Sequence, residues 1–284
     1  MLAEELHFGR TGERLHVSQS RVSQLLRALE ARIGGQLFAR SSRSVALTPL
    51  GERLVADVRP AYEALRAGLA RAHDAAHGRP AVLRLGFQGA VDGGLAAALR
   101  RFERARPDQA VALTELPLSE PFDALRRRDV DAAIVLLPVV EDDLELGVTF
   151  SRQPHALAVP AHHPFASRQS VDAEELAACS LIDLAGGAPG YWRRAQTPAR
   201  TPLGRPIATG PEVATLQEGL NLVAAGRGAM LMCRATAELH AGRRSLAFVP
   251  VTGLPPSRLG LVWRRGLAPE AVHALGRALL ETDR

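Results

Sequence analysis

From residue 80 to the C-terminus, short apolar runs alternate with amphipathic helical patterns, and no other feature limits the possible folds of this chain so closely. The runs "AVLRLGF", "AVALTEL" and "DAAIVLL" are separated by helical stretches at 92–106 and 121–128. The alternation returns after residue 156 with "HALAVP", "SLIDL", a helix over 212–225, "AMLM" and "RLGLVW". Strands that alternate with helices predict an α/β fold with a largely parallel sheet. The repetition predicts two α/β lobes in residues 80–284: lobe I from 80–153 and 265–284, lobe II from 154–264.

The first 77 residues read differently. In "RLHVSQSRVSQLLRALEARIGGQLFAR", residues 14–40, Ser18 is suited to cap a helix, since its oxygen can accept from a first-turn N–H. Val22, Leu25, Leu26 and Leu29 then share one side of a 3.6-residue period. Ser20, Ser23, Gln24 and Arg27 lie opposite, with Gln19 and Arg21 at the edges. Such side chains hydrogen-bond base edges and phosphates, whereas an ordinary solvated face carries Glu and Lys. The only acid in the helix is Glu30, at its far end.

Before this helix, "HFGRTGERL" predicts a shorter one, and "LHVS" a tight turn with Val17 pointing inward. After it, "LFARSSRSVALT" reads as two short strands around a Ser/Arg turn, a wing. Residues 18–47 carry Arg21, Arg27, Arg32, Arg40 and Arg43 against Glu30, a local charge of +4. A winged helix-turn-helix over residues 1–47 follows, with double-stranded DNA as its partner. The expected contact residues are Ser18, Gln19, Ser20, Arg21, Ser23, Gln24 and Arg27 on the helix, and Arg40 and Arg43 on the wing.

Residues 48–77 form one long helical pattern. Thr48 is placed to cap it and Pro49 to occupy its first position, where a missing N–H costs nothing. Leu50, Leu54, Val58, Tyr62, Leu65 and Leu69 make a stripe at spacings of four and three. A long helix with such a stripe and no domain of its own needs a partner, and the same helix of a second chain fits it. Pairing of that kind would set two recognition helices on successive major grooves.

In the α/β part, two loops between a strand end and a helix N-terminus, "QGAVDGG" and "AGGAPGYW", present backbone N–H groups suited to a carboxylate. Gln88, Gly89, Ala90, Ser119 and Tyr191 are the expected lining of a cleft between the lobes, holding an anionic or aromatic small molecule. His162 and His163 have no third ligand at a suitable spacing, so no metal is expected. "GRG" at 226–228 follows a helix and reads as a turn, and "RRR" at 126–128 ends a helix, where cations suit the dipole. No nucleophile elbow and no carboxylate pair arranged for hydrolysis occurs, so neither a catalytic residue nor a cofactor is expected.

Composition adds little to this. A net charge of +5 on 284 residues permits nucleic acid as a partner without requiring it, and every basic side chain other than His is Arg. Two cysteines in no metal-like spacing fit a reducing compartment. Without a leader pattern or a bilayer-length apolar run, the expected location is the cytoplasm. A secreted solute-binding protein would share the two-lobed part but not the basic N-terminus. An enzyme on that scaffold would need the convergent chemistry that is missing here.

The block from "AEELHFGRTGERL" to "SVALTPLGERL" closely resembles the DNA-binding domain of LysR-type transcriptional regulators. "DAAIV", "ALAVPAHHPFA", "LNLVAAGRGAMLM" and "LGLVWRR" resemble that family's effector-binding domain, in the same order. The resemblance implies a winged helix-turn-helix, a linker helix and a two-lobed domain like periplasmic solute-binding proteins. It also implies a homodimer or homotetramer whose DNA contacts shift when a small molecule binds. About a dozen residues that usually precede "AEELHF" are missing, so a truncated first helix or a misassigned start is expected. Ser20 stands where relatives often carry Pro, which alters the expected base contact there.

Overall fold

The computed structural model describes residues 1–40, 45–76, 81–267 and 269–282, and the chain divides into two units, Met1–Ala72 and His73–Arg284. In the first, α1 (Leu2–Glu5) and α2 (Phe8–Leu15) lead into α3 (Gln19–Ile33). The turn before α3 is tight: Val17 N donates to Gly12 O at 2.9 Å, and His16 takes a left-handed φ of 55°. A Cβ at Gly12 would lie 2.7 Å from Val17 O, so only glycine allows this approach. Ser18 caps α3, its Oγ accepting from Arg21 N at 3.2 Å.

Val22 and Leu26 are buried, Leu26 against Leu37 and Phe38. Leu25 and Leu29, expected on the same buried side, are instead 50% and 41% exposed, and Val17 is 38% exposed. The small core covers only one part of the apolar face of α3, and sequence periodicity does not say how wide the cover is. Strands β1 (Phe38–Arg40) and β2 (Val45–Leu47) then pair antiparallel, Phe38 opposite Leu47. Helix α4 (Pro49–Ala76) starts as its sequence predicts, with Thr48 Oγ1 accepting from Gly51 N at 3.0 Å. Leu50 and Leu54 pack on the small core, while Val58, Tyr62, Leu65 and Leu69 are 46–63% exposed.

The second unit begins with β3 (Ala81–Phe87), α5 (Gly93–Ala105), β4 (Gln109–Glu115), α6 (Asp123–Arg126), β5 (Ala132–Leu136) and β6 (Leu144–Gln153). The chain then crosses into a second lobe. There β7 (His155–Pro160), β8 (Val171–Asp172), β9 (Ser180–Leu184) and α7 (Gly190–Gln196) are followed by β10 (Ala208–Val213) and α8 (Leu216–Ala224). After β11 (Met230–Cys233), α9 (Arg234–His240) and β12 (Leu246–Thr252), the chain returns through β13 (Ser257–Arg264) and ends in α10 (Glu270–Thr282).

The first lobe is built on a five-stranded sheet of order β4-β3-β5-β13-β6. Strands β4, β3 and β5 are parallel, but β13 runs antiparallel to both its neighbours. The sheet is therefore mixed where a largely parallel one is expected. The cause is the return crossing: β13, expected in the second lobe, comes back in the opposite sense and inserts between β5 and β6. The second lobe combines β11-β7-β12-β8 with the parallel pair β9-β10.

Burial follows the expected pattern. Leu95, Leu99 and Phe102 of α5 are buried with Val272, Leu275 and Leu279 of α10 against Leu85, Ile134 and Leu261 of the sheet. Asp92 starts α5, its Oδ1 accepting from Leu95 N at 2.8 Å. Asp131 ties β3 to the start of β5, accepting from Arg84 N at 2.9 Å and from Arg84 Nη2 at 2.7 Å. Among the described residues, no helix is long and apolar enough to cross a membrane.

Candidate DNA-contacting face and ligand cavity

The side of α3 away from Val22 and Leu26 carries Ser20, Gln24 and Arg27, all exposed, with Ser23 half-buried among them. Gln19 and Arg21 flank them, also exposed. Ser18 is committed to capping, and its Oγ lies 2.8 Å from Ser20 Oγ. Glu30 does not oppose this face: its Oε1 accepts from Leu37 N at 2.9 Å and from Phe38 N at 3.3 Å. The one carboxylate of the helix thus anchors the start of the hairpin and leaves the opposite side free of negative charge.

Cations on α2 are placed otherwise. Arg14 Nη1 donates to Glu5 Oε1 at 2.9 Å and Arg10 Nη2 to Glu5 O at 2.8 Å, and the Arg14 guanidinium holds the Glu5 carboxyl below its usual range. Arg40 ends β1 at the hairpin, and Arg43 lies outside the described residues.

In the second unit, a cavity of about 50 Å³ lies between the lobes. Gln88, Gly89 and Ala90 line it, as their loop predicts. Most of the remaining wall is apolar, including Leu118, Leu136, Ile182, Leu216, Met230 and Met232. Further polar groups come from Asp92, Gln153, His155, Gln196, Thr197, Cys233, Thr236 and Ser257. Among the described residues lining it, none is Arg.

Those polar groups are mostly engaged. Gln88 is buried, its Oε1 accepting from Leu136 N at 2.9 Å. Gln153 Oε1 accepts from Ala235 N at 2.9 Å, in the first turn of α9, and its Nε2 donates to Asp92 Oδ2 at 3.4 Å. Cys233 Sγ and Thr236 Oγ1 lie 3.0 Å apart. Burial pushes the His155 imidazole below the ordinary histidine range, outweighing the backbone carbonyls of Pro255 and Met232, and its buried Nδ1 has no hydrogen-bond partner.

Ser119 and Tyr191 stand elsewhere. Ser119 is buried beside the cavity residue Leu118, its N donating to Ala214 O at 3.2 Å. Tyr191 accepts from Val140 N at 3.0 Å and donates to Glu141 Oε1 at 2.7 Å. The loop "AGGAPGYW" does not aim its helix at the cavity; α7 instead presents Gln196 there, and Thr197 beyond it. Its first turns are held away by Trp192 Nε1, which donates to Leu136 O at 2.7 Å.

Sequence reasoning missed Gln153, His155, Met230, Met232, Cys233 and Thr236. A usable signal was present, because Gln153 and His155 flank the point where the chain changes lobe, and ligands gather at such interfaces. The other motifs behave as turns and helix ends: His163 Nδ1 accepts from Phe165 N at 3.1 Å, and Gly226 has a φ of 71°. Arg126 pairs with Glu141 and Asp143.

Two family descriptions match the chain. Residues 1–52 match "Bacterial regulatory helix-turn-helix protein, lysR family", and residues 76–284 match "LysR substrate binding domain". The HTH-type transcriptional regulator YnfL of Escherichia coli is 34% identical over 178 residues, 62% of this chain and 60% of YnfL, so the chain spans less than two thirds of that relative. IlvR of Caulobacter vibrioides is 28% identical over 99% of this chain and 94% of its own. The crystal structure of full-length CbnR with its target DNA superposes with a TM-score of 0.74 at 21% identity, over 99% of this chain and 96% of CbnR, a likeness of fold.

Proposed function

The chain belongs to the LysR family of bacterial regulators, and on that premise we propose that it binds an operator through α3 and the β1–β2 hairpin, under control of a small molecule held between the lobes. One observation carries the DNA reading: the exposed side of α3 is built from Ser, Gln and Arg, while its single acid, Glu30, is turned to the backbone of Leu37 and Phe38. Ser20, Ser23 and Gln24 sit mid-face and reach base edges, Gln19, Arg21 and Arg27 flank them, and Arg40 and Arg43 meet phosphates or the minor groove. Ser18 contributes by setting the start of the helix.

Two chains pair through α4, because Val58, Tyr62, Leu65 and Leu69 otherwise leave an apolar stripe in water. The effector is assigned to the cavity lined by Gln88, Gly89 and Ala90, where both lobes contribute wall. At about 50 Å³ the cavity holds a few waters, whereas roughly 150 Å³ accommodates benzene. Ligand binding therefore has to widen it, and a change in the cavity becomes a change in the lobes around it.

Selection of bound sequences from a random DNA pool, followed by two variants, tests the DNA reading. Glutamine pairs bidentately with adenine, a contact that discriminates by about 1–3 kcal/mol. Gln24→Ala is expected to relax preference at one operator position and leave the salt dependence unchanged. Arg43→Ala is expected to weaken binding to all sequences and lower the salt slope by about one. Identical effects of both variants on preference and slope would overturn this division.

A further inference from the structure

The cavity between the lobes has a chemical character that narrows its ligand. Three helices begin at its wall, and each has first-turn N–H groups occupied by an oxygen of the protein. Asp92 Oδ1 takes Leu95 N of α5, Thr215 Oγ1 takes Glu218 N of α8, and Gln153 Oε1 takes Ala235 N of α9. One first-turn donor of each helix is thus taken by the protein itself, and beside α5 an anion would also meet the Asp92 carboxylate. Helix α7 offers its C-terminal end, where the dipole repels negative charge.

No cation compensates, since none of the described lining residues is Arg and the chain contains no Lys. Among the described residues the only charged side chain in the wall is Asp92, a carboxylate with both oxygens engaged by Leu95 N and Gln153 Nε2. An anion placed here would lose its water, gain no partner charge and meet that carboxylate. The walls of Leu118, Leu136, Ile182, Leu216, Met230 and Met232 instead suit apolar surface. The uncharged polar groups left in the wall include the buried Nδ1 of His155, the Cys233–Thr236 pair, and the side chains of Gln196, Thr197 and Ser257.

Resting on the reading of this cavity as the effector site, we propose that its ligand is an uncharged, largely apolar molecule bearing one neutral polar group, not an anion. The polar group meets His155 Nδ1 or the Thr236 hydroxyl. The apolar part displaces Met230 and Met232, whose unbranched side chains yield most readily as the cavity widens.

The chain has three methionines, Met1, Met230 and Met232, so a methyl spectrum of methionine-labelled protein reports on the cavity from two of them and carries an internal control. The full chain is titrated with two charge-differing pairs of similar shape: benzamide against benzoate, and hexanamide against hexanoate. The expected result is that an amide moves the Met230 and Met232 methyl signals, leaves Met1 in place, and binds at least tenfold more tightly than its carboxylate. A carboxylate that moves the same two signals at equal or lower concentration overturns the inference about charge and leaves the cavity as the effector site. If no member of either pair moves Met230 or Met232 up to its solubility, the site assignment and the inference fall together.

Discussion

The phenol of Tyr191 donates to Glu141 Oε1 at 2.7 Å and accepts from Val140 N at 3.0 Å, fastening a helix of the second lobe to the segment that follows β5 of the first. Two further bonds run the same way, from Trp192 Nε1 to Leu136 O at 2.7 Å and from Gln196 Nε2 to Leu137 O at 3.0 Å. Tyr191→Phe keeps the ring and removes two of the four bonds. At about 0.5–1.5 kcal/mol for a typical bond, the loss is expected to be about 1–3 kcal/mol. Urea unfolding should show a lower midpoint with an unchanged slope, and an unchanged midpoint would mean the clasp contributes nothing.

The same phenol should report its surroundings on titration. Burial, together with the nearby Glu141 and against the opposing Val140 N–H, pushes its pKa from 10.0 up to about 12. A raised acid pKa means that stability is fully present below pH 10, the unfolded value, and is lost as pH rises through the folded value. The chain has two tyrosines, so Tyr62→Phe leaves Tyr191 as the only phenol. Its ultraviolet transition is expected near pH 12 in the folded protein, and a midpoint near 10 would remove the case for a buried clasp.

The exposed stripe on α4 predicts self-association that two substitutions abolish. Leu65 and Leu69 are 61% and 63% exposed in one chain. Fully burying a leucine stabilises by about 1.5–3 kcal/mol, while a micromolar association is worth about 8 kcal/mol. Leu65→Glu with Leu69→Glu is therefore expected to give a monomer by sedimentation at micromolar concentration, with the parent chain a dimer or larger. A parent chain that sediments as a monomer contradicts the pairing.

A buried ion pair in the second lobe predicts acid sensitivity. Asp183 is 8% exposed and accepts from Arg193 Nε at 2.9 Å and from its own neighbour, Leu184 N, at 2.8 Å. Burial pulls its carboxyl upward, but the Arg193 and Leu184 bonds outweigh it and hold the pKa below the ordinary 3.8. The lowered value means stability is present above the unfolded pKa and lost as pH falls below it. Asp183→Asn should be clearly less stable than the parent at pH 6, and the gap should close as pH drops below about 4. A gap independent of pH would show that packing, not charge, sets the cost.

Oxidation is not expected to join the two cysteines. Leu181 bridges Ala229 in parallel, so Cys179 lies two residues before that bridge on one segment and Cys233 four residues beyond it on the other. At about 3.3 Å per residue the thiols are roughly 20 Å apart, far beyond the 7 Å Cα limit of a disulfide. Diamide treatment followed by peptide mass analysis should find no Cys179–Cys233 link, and finding one in folded protein would require the register to be different.

Local signals were the most legible. Ser18 and Thr48 start helices where side-chain oxygen and spacing say they should, because a cap is decided within one turn. Contacts distant in sequence were not. The loop of Tyr191 predicts a place in the cleft, and nothing in "GYW" reveals that Val140 and Glu141 claim its hydroxyl. Nor does the sequence reveal that Gln153, from a strand far earlier in the chain, occupies Ala235 N at the start of α9. Gln88 lines the cavity because it follows its strand directly.

The position of β13 governs the order in which this protein can be completed during synthesis. It lies between β5 and β6, yet it leaves the ribosome more than a hundred residues after β6 began. Until then the earlier lobe has a gap in its sheet, with β6 joined to nothing and the edge of β5 open to pairing with other nascent chains. The second lobe, continuous from His155 to Thr252, can close first. A stop codon between Thr252 and Ser257 would thus cost the earlier lobe the strand that joins β6 to β5 while sparing every strand of the lobe encoded after it.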